Sequence, residues 1–418
     1  MEMKQVCVVG TGYIGLPLAG LLAAAGYQVH GVDTNPKVVE QINSGAAKIC
    51  EPNLASLVYE AVKSGSFTLS TTPAPADVFF ISVPTPFQEG HVPDLTYVDA
   101  AIRSIAPYIR KDNLIVLEST VPVGTTEKTA RMIAELRPDL VRRGKAPADP
   151  ETDLLFYLAH CPERVLPGQI LSELFNNDRV IGGVNRVSAE YAAEMYRSFV
   201  KGQIMITNSR TAELCKLAEN AFRDINIAFA NELALICDRL DINVWELIEY
   251  ANHHPRVKIL EPGPGVGGHC IPVDPWFIVH TVPEEARLIR TAREVNDGRP
   301  RYIIGQIMAA AKAFTNPVIA CLGLAYKANV DDLRESPAMH ITRELAVMET
   351  GRILVVEPNV DELPELLSDF KHVQLVDLAT ALAQANIIVL LVNHQIFINM
   401  DRRLLQGKAV IDTKGIWR

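Results

Sequence analysis

The run Gly10-Thr11-Gly12-Tyr13-Ile14-Gly15 constrains this chain more than any other stretch, because of what stands on either side of it. A β-branched segment, residues 6–9, leads in. An apolar helical segment, 16–25, leads out, and residues 28–32 read as a second strand ending in Asp33. Strand, glycine turn, helix, strand and terminal acid make up one dinucleotide-binding unit. The glycines let the backbone approach a pyrophosphate, and the helix N-terminus supplies N–H donors and a positive dipole. Gly10, Gly12 and Gly15 are therefore expected to cradle a dinucleotide, with Asp33 accepting from its ribose. No arginine directly follows Asp33 to hold a 2′-phosphate, so NAD is expected over NADP.

The alternation continues. Residues 77–83 read as a strand ending in Pro84-Thr85-Pro86, and 114–117 as a strand ending in the loop from Glu118 to Thr126. An open parallel sheet binds ligands at the carboxyl ends of its strands, so Thr85, Thr120 and Thr126 suit cofactor contacts, as they also suit ordinary turn and cap hydroxyls. Residues 137–153 read as a polar surface excursion. Residues 154–159 read as a strand that runs into Cys161-Pro162-Glu163-Arg164-Val165.

Residues 209–240 lack glycine and proline and predict one long helix. On it Lys216, Asn220 and Arg223 fall at i, i+4 and i+7, on one face, which fits either a binding face or a solvated one. Asn220, Asn226 and Asn231 are poor choices for a merely exposed helix. A second amphipathic helix is expected at 244–252. The last third repeats the opening in weaker form: 318–322 with Gly323, 352–356 with Glu357, then strands at 385–392 and 409–412. It lacks the three-glycine turn but carries Lys327 and Arg334 past its first strand, a pair suited to a diphosphate or to a solvated loop.

The chemistry is expected at residues 261–276, EPGPGVGGHCIPVDPW, where glycines bring the backbone tight around Cys270, with Asp274 four residues on. A buried structural cysteine is the plainer alternative. The seven cysteines show no CxxC spacing, which fits reduced thiols in a cytoplasm and no zinc framework. A net charge of −9 argues against nucleic acid or an anionic membrane as partner, and no segment reads as an export signal or a membrane span. With 418 residues, of which 48% are hydrophobic, the chain exceeds one core.

These segments together resemble the UDP-glucose/GDP-mannose dehydrogenase family over essentially the whole chain. The resemblance rests on TAELCKLAENAFRDINIAFANEL, CPERVLPGQ, HHPRVKILEPGPGVGGHCIPVDPWF and GLAYKANVDDLRESPA. It implies an α/β fold of two Rossmann-like doubly wound domains, joined by a long central helix and a helical dimerisation region. The expected boundaries are 1–205 for the NAD-binding domain, 206–305 for the central domain with the cysteine loop, and 306–418 for the UDP-sugar-binding domain. It implies Cys270 as nucleophile and Lys216 as acid/base, with Asn220 and Asp274 beside them. Substrate contacts are implied for Glu163, Arg164, Val165, Lys216, Asn220, Arg223, His254, Arg256, Gly267 and Lys327, and NAD contacts for Tyr13, Ile14, Asp33, Thr85, Thr126 and Arg334. A UDP-sugar substrate and at least a homodimer follow, with Arg256 reaching a neighbouring subunit. Two rival readings, a two-electron 3-hydroxy acid dehydrogenase and a non-catalytic nucleotide-sugar binder, differ from this one in NADH released per product.

Overall fold

Strands covered by helices on both sides lose the alternation of a half-exposed sheet, and Val78–Ile81 and Leu114–Leu117 are buried at every position. They lie at the centre of the first of two large sheets in the computed structural model, which describes residues 4–45, 51–142, 153–166 and 168–417. The chain divides into two compact units, Met1–Glu219 and Asn220–Arg418.

The first unit holds β1 (Gln5–Val9), β2 (Gln28–Val32), β3 (Phe67–Ser70), β4 (Val78–Ile81), β5 (Leu114–Leu117), β6 (Tyr157–His160), β7 (Arg179–Gly183) and β8 (Ile204–Asn208). Their order is β8-β7-β6-β5-β4-β1-β2-β3. All neighbours are parallel except β6 and β7, which run antiparallel. The order reverses between β1 and β4, where Val6 pairs with both Val29 and Val78. That reversal opens a crevice at the carboxyl ends of these strands. Helix α1 (Gly15–Ala24) is apolar nearly all round and is buried against the sheet. Gly20 lets it pack closely, since a Cβ there would lie 2.9 Å from Leu57 Cδ2.

Three strands are shorter or shifted relative to the sequence reading. Val78–Ile81 stops short of Asp77 and Val83, and side chains bind backbone amides at both ends. The Asp77 carboxylate accepts from the amides of Lys4 and Gln5, and the Ser119 hydroxyl accepts from the Val83 amide. The strand expected at 154–159 lies at Tyr157–His160, while Leu154 forms an isolated antiparallel bridge with Val141. The strand expected at 385–392 is Ile387–Leu390. Of the excursion expected at 137–153, Pro138–Leu140 forms a 3-10 turn, and 143–152 lie outside the described residues.

Helix α2 (Thr125–Leu136) follows β5, and α3 (Ser209–Leu240) follows β8. α3 has 32 residues, about 48 Å at 1.5 Å per residue. It begins in the first unit and ends in the second. The second unit continues with α4 (Val244–Asn252), α5 (Asp274–Thr281), α6 (Arg287–Ala311), β9 (Val318–Leu322), α7 (Pro337–Val347), β10 (Arg352–Val356), β11 (Val373–Leu375), β12 (Ile387–Leu390) and β13 (Ala409–Asp412). These five strands are parallel, in the order β11-β10-β9-β12-β13. The order reverses again beside the first strand of the sheet. The fold is α/β with two doubly wound sheets and a long helix between them in sequence.

Candidate active site

In the first unit, the turn after β1 has the shape a dinucleotide requires. Gly10 adopts φ +92°, and a Cβ on it would lie 2.4 Å from the Ser82 carbonyl oxygen. A Cβ on Gly15 would lie 1.8 Å from the Gly10 carbonyl oxygen, whereas one on Gly12 meets nothing within 4 Å. The loop is thus closed on the protein side and open at Gly12. No side chain caps α1, and its first turn carries no acid, so its N–H groups and dipole suit an incoming anion. Asp33 is half-buried at the end of β2; its carboxylate accepts from the Thr11 hydroxyl at 3.0 Å and the Asn35 amide at 2.9 Å. Tyr13 is 43% exposed and Ile14 half-buried. These residues fit NAD.

The loops after β4 and β5 are tied together here. Thr85 donates to the Thr120 carbonyl oxygen at 2.7 Å, and the Ser119 hydroxyl donates to the Val83 carbonyl oxygen at 2.7 Å. Thr126 is fully buried; its amide and its hydroxyl both donate to Glu213 Oε1, at 2.7 and 2.6 Å, while the Gly124 amide donates to Glu213 Oε2 at 2.6 Å. Glu213, in the first turns of α3, thereby caps the N-terminus of α2. Burial raises the pKa of Glu213 against these hydrogen bonds.

A charged cluster is buried beneath the β6 loop. Arg179 pairs with Glu163 at 2.8 Å, and the other Glu163 oxygen accepts from the Arg164 amide at 2.6 Å. The Arg164 guanidinium pairs with Glu219 at 2.7 Å and donates to the Asp178 carbonyl oxygen. Val165 is half-buried. Behind them the Tyr196 hydroxyl donates to Glu118 at 2.6 Å. Burial and the neighbouring Glu163 charge push the Glu118 carboxyl up to about 8. Lys216, on α3, is buried.

In the second unit the cysteine loop lies against the segment that follows β9. A Cβ on Gly267 would lie 2.7 Å from both the Glu335 carbonyl oxygen and Pro337 Cδ, and one on Gly265 3.0 Å from Pro337 Cβ. Gly268, at φ +91°, faces the Tyr326 ring. Cys270 is exposed. Its carbonyl oxygen accepts from the Val273 and Asp274 amides at 3.1 and 2.9 Å, so the cysteine closes a turn just ahead of α5. Asp274 is buried and accepts from Asn220 Nδ2 at 2.6 Å. Beside the loop, Pro264, Gly265, Tyr326, Lys327, Asn393 and Lys414 help line a narrow cavity of ≈ 30 Å³. Burial lowers the Lys414 pKa against the pull of Glu261 and Asp412. The Arg256 amide donates to His254 Nδ1 at 3.3 Å, and both side chains are exposed, as is Arg223.

Comparison with known proteins accords with this geometry. Residues 4–200 match the NAD binding domain of the UDP-glucose/GDP-mannose dehydrogenase family, 210–298 its central domain and 320–418 its UDP binding domain. The chain belongs to the UDP-glucose/GDP-mannose dehydrogenase family. The chain is 52% identical over 426 residues to the UDP-N-acetyl-D-mannosamine dehydrogenase of Escherichia coli K12, covering 100% of both. It is also 52% identical over 420 residues to the NDP-N-acetyl-D-galactosaminuronic acid dehydrogenase of Ralstonia nicotianae, covering 100% of this chain and 97% of that one. Among solved structures, the UDP-D-ManNAc dehydrogenase of Pyrococcus horikoshii superposes with a TM-score of 0.86 at 38% identity, covering 99% of this chain and 96% of that one.

This dehydrogenase therefore uses NAD and acts on a UDP-sugar. Lys327 lines the cavity, whereas Arg334 is exposed and binds Asp332 at 2.7 Å. The partner of Lys327 at the cavity is Lys414, which the sequence reading missed because it lies far along the chain. Glu357 follows the second strand of its sheet as Asp33 does, but its carboxylate is taken up internally. Its buried Oε2 accepts from the Leu324 and Ala325 amides at 2.7 and 3.1 Å and pairs with His394. In the second sheet an internal carboxylate thus occupies donors of the turn after β9, in keeping with the missing glycine signature. Among the described residues no group of three or more His, Cys, Asp or Glu is arranged to hold a metal, and no helix is long and apolar enough to cross a membrane.

Proposed function

We propose that this dehydrogenase oxidises UDP-N-acetyl-D-mannosamine at C6 to the uronate, through a covalent intermediate on Cys270. The observation that carries this reading is the cysteine loop seated on the Tyr326–Pro337 segment beside the Lys327 and Lys414 cavity. One ligand can there offer a diphosphate to lysines and a sugar to a thiol. The full-length relatives named for N-acetylated sugars support the choice of sugar.

NAD, when bound at Gly10, Gly12, Tyr13, Ile14, Gly15 and Asp33, supplies the hydride acceptor for each oxidation. Lys216, or a water held by Asp274, removes the C6 hydroxyl proton as the first hydride leaves carbon. The Cys270 thiolate adds to the resulting aldehyde, forming a C–S bond and a thiohemiacetal. Lys216 and Asn220 stabilise the oxyanions. Loss of a second hydride leaves a thioester. Water attacks it, the C–S bond breaks, and the acid departs from a restored thiol. Glu163, Arg164, Val165, Arg223, His254, Gly267 and Lys327 bind substrate. Thr85, Thr120 and Thr126 shape the cofactor side, Thr126 through Glu213, and Arg334 completes it.

The functional segments are 1–205, 206–305 and 306–418. The working unit is a homodimer in the cytoplasm. Phe222, Phe229, Ile236 and Leu240 lie 71%, 53%, 45% and 60% exposed on α3, an apolar stripe that suits pairing with a second copy. Arg256, exposed before the glycine loop, then serves the partner's nucleotide. The product is an acidic sugar donor for surface polysaccharide.

One specific observation favours a second reading: the Ralstonia relative, named for the galactosamine series, is as identical as the E. coli one. Initial NADH production from UDP-N-acetylmannosamine, UDP-N-acetylgalactosamine, UDP-N-acetylglucosamine and UDP-glucose, with products identified by mass, separates the two. The mannosamine derivative is expected to give the highest kcat/KM. UDP-glucose is expected to be poor, because a site that hydrogen-bonds the N-acetyl amide leaves buried groups unpaired when it is missing, a loss of ~10⁴ or more. Preference for the galactosamine derivative moves the assignment to the second reading.

A further inference from the structure

Seven residues before Cys270, the peptide group of Gly263 is gripped on both sides. Its amide donates to Asn231 Oδ1 at 2.9 Å, and its carbonyl oxygen accepts from Arg299 Nε at 3.0 Å. Asn231 is on α3 and Arg299 on α6, and both are buried. Asn231 is itself fixed. Its Nδ2 donates to Asn296 Oδ1 at 2.9 Å, and Asn296 Nδ2 donates to Asp224 Oδ1 at 2.8 Å. Asp224 also pairs with Arg293 at 2.5 Å. These side chains are 0–1% exposed, and a buried polar chain of this kind is stabilising only when its members find partners. It joins α3 to α6 and ends on the glycine loop.

At its far end the same loop is held by the same helix, since Asn220 donates to Asp274 at 2.6 Å. Asn220 and Asn231 are eleven residues apart, close to three helical turns, so they share a face of α3 about 16 Å apart. The loop from Gly263 to Asp274 also spans eleven residues and could extend to about 36 Å. It therefore has slack, which the glycines increase, and two asparagines of one helix face hold its ends.

We infer that Asn231 is a positioning residue for the reaction, holding Gly263 and so setting where the loop presents Cys270. The inference rests on Cys270 as nucleophile. Asn231→Ala leaves the Gly263 amide without its acceptor and Asn296 without its donor. The kcat is expected to fall by about 10- to 100-fold, the scale of a misplacement near 1 Å, while KM for NAD stays within twofold, because the glycine turn and Asp33 lie in the first unit. Hydrogen exchange in peptides covering 262–268 is expected to accelerate by ~10-fold or more. The rate of Cys270 alkylation by iodoacetamide, located by peptide mass spectrometry, is expected to change with it. Ile248→Ala serves as control: it truncates a buried side chain packed near Ala234 and Cys237 and so lowers stability without touching the loop.

If Asn231→Ala does not fold, Arg299→Lys, which removes the fork but keeps the charge, carries the same test. Exchange and alkylation are read without substrate. A wild-type enzyme that oxidises none of the UDP-sugars would overturn the proposed function and leave this test standing. Wild-type kcat and loop exchange in Asn231→Ala, or equal effects from Ile248→Ala, would overturn the inference.

Discussion

Replacing Glu213 by alanine removes the acceptor of three short hydrogen bonds from Gly124 and Thr126. Hydrogen bonds to a charged group contribute about 1.5–3 kcal/mol each, but the sum is not reached, because burying the carboxylate costs several kcal/mol of desolvation. The raised pKa of Glu213 reports that cost. What remains after Glu213→Ala is two amides and a hydroxyl buried without a partner at the start of α2, and a net loss of about 3 kcal/mol is expected. In a unit of this size each kcal/mol lowers the unfolding midpoint by roughly 2–4 °C, so a fall of about 6–12 °C is expected. Glu213→Gln keeps the shape but turns an NH₂ group toward a donor, and should lose about half as much. Lys216 lies one turn further along α3, so kcat should fall as well, even at a temperature where both variants are folded. Thermal unfolding with and without NAD, paired with steady-state NADH production, measures both effects. A midpoint within 2 °C of wild type together with unchanged kcat would refute the argument.

Glu118 predicts a pH dependence. Its carboxyl titrates near 8 in the folded chain and in the usual carboxylate range when unfolded, so folding takes up a proton. The stabilisation is fully present below the unfolded value and is lost as pH rises through the folded one, by at most ~1.4 kcal/mol per pH unit. Urea unfolding between pH 7 and 9, above the range in which the buried neutral His160 acts in the opposite sense, should therefore slope downward, and Glu118→Gln, which still accepts from Tyr196, should flatten that slope. Gly267→Ala drives a Cβ into the Glu335 carbonyl and Pro337; a backbone shift costing about 1–3 kcal/mol is expected, with KM for the UDP-sugar raised and KM for NAD unchanged. Equal changes in both KM values would contradict that steric reading.

Much of this architecture is legible along the chain because it is local. The glycine turn, its helix and the strand ending in Asp33 follow from spacing, and Ser209–Leu240 from the absence of breakers. The weaker repeat in the last third was readable because parallel strands buried on both faces leave continuous apolar runs. β3, β7, β8 and β11 were missed because they are short or carry glycine and polar residues, as Arg179–Gly183 does, and tertiary pairing decides them. Site partners were missed for a different reason. Glu213 reaches Thr126 across 87 positions, and Asn231 reaches Gly263 across 32; nothing local marks either pair. A faint signal did exist, since Asn231 was an awkward residue for a solvated helix face and its burial explains why.

The central claim is a four-electron oxidation held on a thiol, and the ratio of NADH to acid tests it most directly. With UDP-N-acetyl-D-mannosamine, the wild-type enzyme should release two NADH per uronate and no free aldehyde, and Cys270→Ala should form no acid while still binding NAD. One NADH per product, or acid formed by Cys270→Ala at the wild-type rate, would contradict the account.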